Sequence, residues 1–151
     1  MKKNKYKICV IGAGHWGRNH IRTLHQLNAL GAVVEKDDKS ISFIKEEYPN
    51  CKVYSDLQIA LNDSYDGYIV ATPAVSHYEI AKKIIESYKP LLVEKPLTLN
   101  LKDAIELNNL AKKNNVNLMV GHLLLFHPAF KKISELIHSG LLGEIQYIYS
   151  N

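Results

Sequence analysis

Short runs of consecutive apolar residues recur along the chain at 8–11, 32–34, 51–54, 67–70, 91–93 and 117–120. Between them, apolar positions fall every three to four residues, the spacing of a helix with one buried face. Strands that are almost wholly apolar are covered on both faces, and strands alternating with helices build a parallel sheet. The pattern therefore predicts a doubly wound α/β domain with six strands and five intervening helices over residues 1–121. Ser55-Asp56-Leu57-Gln58 and Ser76-His77-Tyr78-Glu79 read as capping boxes at two helix starts. The helix after Ser76 would bury Ile80, Ala81, Ile84 and Ile85. A later helix, opened by Asn100, carries Leu101, Ala104, Ile105, Leu107, Leu110 and Ala111 at helical spacing. Residues 122–151 follow another rhythm. Pro128 opens a helix with an apolar stripe of Phe130, Ile133, Leu136 and Ile137, Gly140 suits its C-terminal end, and 144–149 alternates like a half-buried strand. This tail reads as a connecting helix and first strand of a truncated second α/β domain.

The junction between the first strand and the first helix is Gly12-Ala13-Gly14-His15-Trp16-Gly17. In such a turn the first glycine permits the tight bend and the second lets backbone approach a diphosphate. The third lets helix pack closely on strand, so that phosphate oxygens meet free N–H groups. Glu35 ends the second apolar run, eighteen residues after Gly17, where a carboxylate can accept hydrogen bonds from ribose hydroxyls. Strand, glycine turn, helix, strand and acid together form a dinucleotide-binding unit.

Composition narrows the classes. With 151 residues, 46% hydrophobic and 23% charged, the chain has the make-up of a folded globular domain. The net charge of +4 equals the contribution of Lys2, Lys3, Lys5 and Lys7, so the remainder is balanced. No aromatic-plus-basic stripe follows those lysines, and nucleic-acid binding is not expected. Cys9 and Cys51 lack metal-ligand spacing and read as free thiols of a reducing compartment. No metal site, membrane span or signal peptide is indicated, which points to a cytoplasmic protein.

In doubly wound sheets, ligands lie beyond the carboxyl ends of the strands, and three segments there carry chemistry. After the fourth strand, Thr72 offers a hydroxyl near a nicotinamide ribose and Pro73 fixes the turn. His77 either faces the same cleft or is simply a first-turn residue of an amphipathic helix. After the fifth strand comes Glu94-Lys95-Pro96. Lys95 is placed for proton transfer, Glu94 for orienting its ammonium, and Pro96 for a kinked or cis connection. After the sixth strand, His122, Phe126 and His127 offer hydrogen bonds and stacking to a sugar or its nucleotide, although residues 123–126 equally suit packing into a second domain.

These motifs, in this order and at this spacing, resemble the glucose–fructose oxidoreductase, inositol dehydrogenase and MocA (Gfo/Idh/MocA) family across essentially the whole chain. His15-Trp16 together with the 121–128 segment looks most like members acting on UDP-N-acetylamino sugars, of the UDP-N-acetylglucosamine 3-dehydrogenase type. The resemblance implies an NAD-dependent sugar dehydrogenase. In it Lys95 assists removal of a hydroxyl proton, Glu94 positions that lysine, and the cofactor contacts Gly12, Gly14, His15, Trp16, Gly17, Glu35, Thr72, Pro73, His77, Glu94, Lys95 and Pro96. It also implies a homo-oligomer at full length. Glu35 stands where many members carry Asp; either acid repels a 2′-phosphate, which favours NAD over NADP, with Lys36 and Lys39 nearby as a counterweight. Family members continue into a second domain that supplies a catalytic histidine, often with an aspartate. The alternatives for this chain are a noncatalytic nucleotide-binding module, a split-enzyme subunit, or a subunit whose 145–149 segment completes another chain's sheet.

Overall fold

A computed structural model describes residues 6–63 and 65–149. Its strands are β1 (Ile8–Ile11), β2 (Leu30–Val34), β3 (Lys52–Tyr54), β4 (Gly67–Val70), β5 (Leu91–Val93) and β6 (Leu118–Val120). They form one parallel sheet in the order β3-β2-β1-β4-β5-β6. The order reverses between β1 and β4, which opens a crevice at their carboxyl ends. The doubly wound architecture expected from the apolar runs is therefore present.

Both faces of the sheet are covered, because alternate residues of each strand point to opposite sides. On one face Val10 and Val33 pack with Ile21 of helix α1 (His15–Gln26) and Ile44 of α2 (Asp38–Glu47). On the other, Cys9, Ile11, Val34, Tyr68, Val70 and Val93 meet α3 (Leu57–Asn62), α4 (His77–Glu86) and α5 (Leu101–Lys113). Ala81, Ile84 and Ile85 of α4 are fully buried while Ile80 is half-buried. On α5 the burial falls on Leu107 and Ala111, and Leu101 and Ile105 remain exposed.

The capping expectations need correction. At α3 the cap is Asp56, not Ser55: its carboxylate accepts the Gln58 N–H at 2.6 Å. An aspartate reaches the exposed N–H groups as well as a serine does and carries a charge that the helix start favours. At α4, Ser76 makes no cap to the helix. A 3-10 turn over Ala74–Ser76 runs into that helix, and the Ser76 hydroxyl points back, 2.8 Å from both Thr72 Oγ1 and the Pro73 carbonyl. Asn100 does cap α5, accepting the Asp103 N–H at 2.9 Å. Cys9 and Cys51 are both free thiols. Burial pushes the Cys9 thiol up to about 12, with a smaller contribution from Cys51.

The chain divides into two compact units, one ending at Gly121 and the other beginning at His122. The second unit contains a 3-10 turn (Leu123–Phe126) and α6 (Pro128–His138). The helix starts at His127, whose Nδ1 accepts the Ala129 N–H, and Gly140 follows its end with φ +73°. Phe130, Ile133 and Ile137 stay exposed along it. Residues 144–149 are not a strand. An alternating segment becomes a strand only when a neighbour satisfies its backbone, and none does so among the described residues.

Candidate functional site

The glycine turn is built by steric exclusion. Gly12 has φ +92°, and a Cβ there would stand 2.8 Å from the Ala71 carbonyl oxygen. A Cβ on Gly17 would stand 2.0 Å from the Gly12 carbonyl oxygen, so the helix sits directly against the turn. Gly14 differs, because nothing lies within 4 Å of its Cβ position. It is the N-terminal boundary of α1, which has no side-chain cap. Bare backbone facing open space at the positive end of a helix dipole is what an anionic diphosphate needs. His15 and Trp16 are exposed beside it, their rings edge-on with centroids 6.0 Å apart. Arg18 ties the turn from behind, its Nε donating to the Ala13 carbonyl at 3.1 Å while its guanidinium lies over the Phe43 ring.

Glu35 lies at the end of β2, and its carboxylate already has partners. One oxygen accepts the Ala13 N–H at 2.7 Å; the other accepts the N–H groups of Lys36 at 2.6 Å and Asp37 at 3.1 Å. A carboxylate has about four acceptor positions, so these leave little capacity for ribose hydroxyls. The acid braces the glycine turn and lines a cavity of 470 Å³ with Gly12, Asp56, Leu57 and Lys83. That cavity opens on the β2 side of the crevice, where the adenosine half of a dinucleotide belongs.

A second cavity, of 250 Å³, is lined by Gly14, His15, Trp16, Thr72, Pro73, His77, Glu94 and Lys95. Residues remote in sequence thus converge on one cavity beyond the ends of β4 and β5. Thr72 Oγ1 accepts from Ser76, which leaves its own hydroxyl hydrogen free to donate. His77 is 1% exposed and both ring nitrogens face carbonyl oxygens, Nδ1 at 2.8 Å from Pro96 and Nε2 at 2.8 Å from Thr72. Its imidazole therefore links the two loops that flank the cavity, and no ring nitrogen is left over for a ligand. The Lys95–Pro96 peptide bond is cis.

Glu94 and Lys95 separate. Lys95 is exposed, and its Nζ has no partner among the described residues. Glu94 is 6% exposed, and its carboxylate does not reach that ammonium. One oxygen takes a hydrogen bond from His20 Nε2 at 2.7 Å and the other faces the Lys95 backbone N–H at 3.3 Å. The expectation that Glu94 orients the ammonium directly is thus corrected, because both carboxylate oxygens are directed at other groups, His20 Nε2 and the Lys95 backbone N–H. His20 went unnoticed because 74 residues separate it from Glu94. Its signal was its place in α1 beside Ile21, which faces the core.

His122, Phe126 and His127 belong to the second unit. His122 precedes the 3-10 turn without a cap bond, Phe126 is exposed, and His127 caps α6. Among the described residues no group of His, Cys, Asp and Glu has the arrangement of a metal site, and no helix is long and apolar enough to cross a membrane.

Comparison with known proteins agrees with this geometry. Residues 6–122 match the model of the Gfo/Idh/MocA oxidoreductase family, NAD-binding Rossmann fold. Inositol 2-dehydrogenase of Corynebacterium glutamicum is 26% identical over 144 residues, 92% of this chain and 43% of that protein. UDP-N-acetylglucosamine 3-dehydrogenase of Acidithiobacillus ferrooxidans is 27% identical over 126 residues, 83% of this chain and 40% of that protein. This chain thus spans well under half the length of those relatives. Among solved structures, GenD2 from gentamicin A biosynthesis, in complex with NAD, superposes with TM-score 0.84 at 28% identity, covering 93% of this chain and 41% of that one. Apo scyllo-inositol dehydrogenase from Lactobacillus casei shares the fold, with TM-score 0.87 at 19% identity over 96% of this chain and 44% of its own. A glycine turn open above Gly14, an acid at the end of β2, a lysine at the end of β5 and this match all agree, and the chain belongs to the Gfo/Idh/MocA oxidoreductase family, whose NAD-binding Rossmann domain it carries.

Proposed function

We propose that this chain forms the cofactor-binding half of an NAD-dependent dehydrogenase acting on a secondary hydroxyl of a sugar, cyclitol or nucleotide sugar. The observation that carries the reading is Lys95, whose amine has no partner among the described residues and shares a cavity with Gly14, Trp16 and Thr72. When bound, NAD⁺ supplies the hydride acceptor. The chain's own residues do the rest: the α1 start and Gly14 hold the diphosphate, and Thr72 donates to the ribose of the nicotinamide half. Lys95 in its amine form takes the carbinol proton at Nζ and returns it in the reverse direction. Removing that proton as hydride leaves lowers the barrier, since hydride loss from the neutral alcohol would otherwise leave a protonated carbonyl cation. Glu35 favours NAD over NADP, because its fixed charge repels a 2′-phosphate.

A UDP-N-acetylamino sugar is the finer reading, supported by the His15-Trp16 pair and the 121–128 segment. The similarity to the UDP-N-acetylglucosamine 3-dehydrogenase, 27% identity, stands beside 26% for the inositol 2-dehydrogenase. The test joins this chain to the substrate-binding half of such a relative and follows NADH formation with UDP-N-acetylglucosamine and with myo-inositol. The proposal expects substrate-dependent NADH that Lys95→Ala abolishes while NAD affinity persists. Turnover unchanged in Lys95→Ala would overturn it.

A further inference from the structure

We infer that His20 is a positioning residue for Lys95, acting through Glu94. Helix α1 carries the diphosphate-binding turn at its start and His20 one turn further on. The His20 Nε2–H donates to Glu94 Oε1 at 2.7 Å, across from α1 to the end of β5. Because the acceptor is a carboxylate, the ring nitrogen must be the donor.

Three constraints fix the carboxylate. The Glu94 backbone N–H is tied to the Val70 carbonyl at 2.9 Å, which holds the residue in register with β4. On the far side Gly121 closes the space, since even a Cβ there would stand 3.0 Å from Glu94 Oε2. His20 takes the remaining oxygen. Held this way, Oε2 faces the Lys95 backbone N–H, so the point where the chain leaves the sheet is set by a side chain anchored on another element. A buried carboxylate deprived of its donor would have to move or admit water, because an unpaired buried charge is costly. Lys95 Nζ has no such tether among the described residues, so its placement depends on its own backbone. His20 thus links the anchoring of the cofactor and the placement of the lysine through one rigid helix.

This inference rests on the role given to Lys95 above, but its test does not involve turnover. In ¹⁵N spectra of this chain, His20→Ala is expected to move the Lys95 amide resonance and speed its hydrogen exchange by about tenfold, the amide of Val10 in the central strand staying as it was. His20→Gln, whose amide can still donate to Glu94, restores the Lys95 signal. A Lys95 amide unmoved by His20→Ala overturns the inference. So does a loss of protection shared equally by Val10, or a failure of glutamine to rescue, since either marks a merely structural histidine. If the amide responds as stated and Lys95→Ala still leaves turnover intact, the functional reading falls separately.

Discussion

The carboxylate of Glu35 accepts the N–H of Ala13 at 2.7 Å, fastening the end of β2 to the glycine turn that follows β1. The acid of the dinucleotide unit is therefore also part of the turn's own construction. A consequence is that Glu35→Ala disturbs two properties at once. It strips hydrogen bonds from Ala13, Lys36 and Asp37, for a loss of about 1–2 kcal/mol in chemical denaturation. It also removes the charge that opposes a 2′-phosphate, so the ratio of NAD to NADP affinity, measured by calorimetry, moves toward unity.

Gly14 and Gly17 separate fold from binding. Gly17→Ala sets a methyl 2.0 Å from the Gly12 carbonyl oxygen, and helix must part from strand; a loss above about 3 kcal/mol is expected. Gly14→Ala meets nothing within 4 Å and has φ −67°, so stability should change by less than about 1 kcal/mol. Urea titration of both variants decides the matter.

The carboxylate of Asp56, rather than the hydroxyl of Ser55, holds the start of α3. Asp56→Ala removes the acceptor for the Gln58 N–H and costs about 1 kcal/mol, whereas Ser55→Ala leaves stability within about 0.5 kcal/mol of the parent. Equal effects at the two positions would contradict the assignment of the cap.

Alkaline pH should loosen the sheet through Cys9. Burial raises its thiol from 9.0 to about 12, so the folded chain keeps a proton that the unfolded chain releases. The stabilisation is complete below pH 9 and is lost as pH rises toward 12, by at most about 4 kcal/mol. Burial raises Tyr68 to about 12 and Cys51 to about 11, which steepens the same decline. Cys9→Ala is expected to flatten the slope of unfolding free energy between pH 9 and 11, whatever it does to the absolute value at pH 7. An unchanged slope would show that Cys9 is not a source of the decline.

Much of this was legible in the residue order, and the reasons are local. Strand runs such as Cys9-Val10-Ile11 and the glycine turn report their own neighbourhood, because the turn's steric demands fall on residues adjacent in sequence. Asn100 announced a helix start correctly for the same reason. The errors arise where the partner is distant or chemically equivalent. Asp56 and Ser55 are both good caps, and backbone geometry chose between them. Ser76 turned back to Thr72 because a 3-10 turn precedes α4. No local pattern reveals that His20 rather than Lys95 receives Glu94, or that both nitrogens of His77 are engaged by carbonyls, since those contacts exist only after the sheet is assembled. The alternation at 144–149 had the right period but no neighbour to pair with among the described residues.

The most direct test of the central claim, a dinucleotide held at the open start of α1, is a calorimetric titration of NADH into the parent chain and into Gly14→Val, with thermal unfolding of both measured alongside. Saturable one-to-one binding to the parent and none to the variant is expected, with melting temperatures that agree within a few degrees without ligand. Equal binding to both chains, or none to a folded parent, would contradict it.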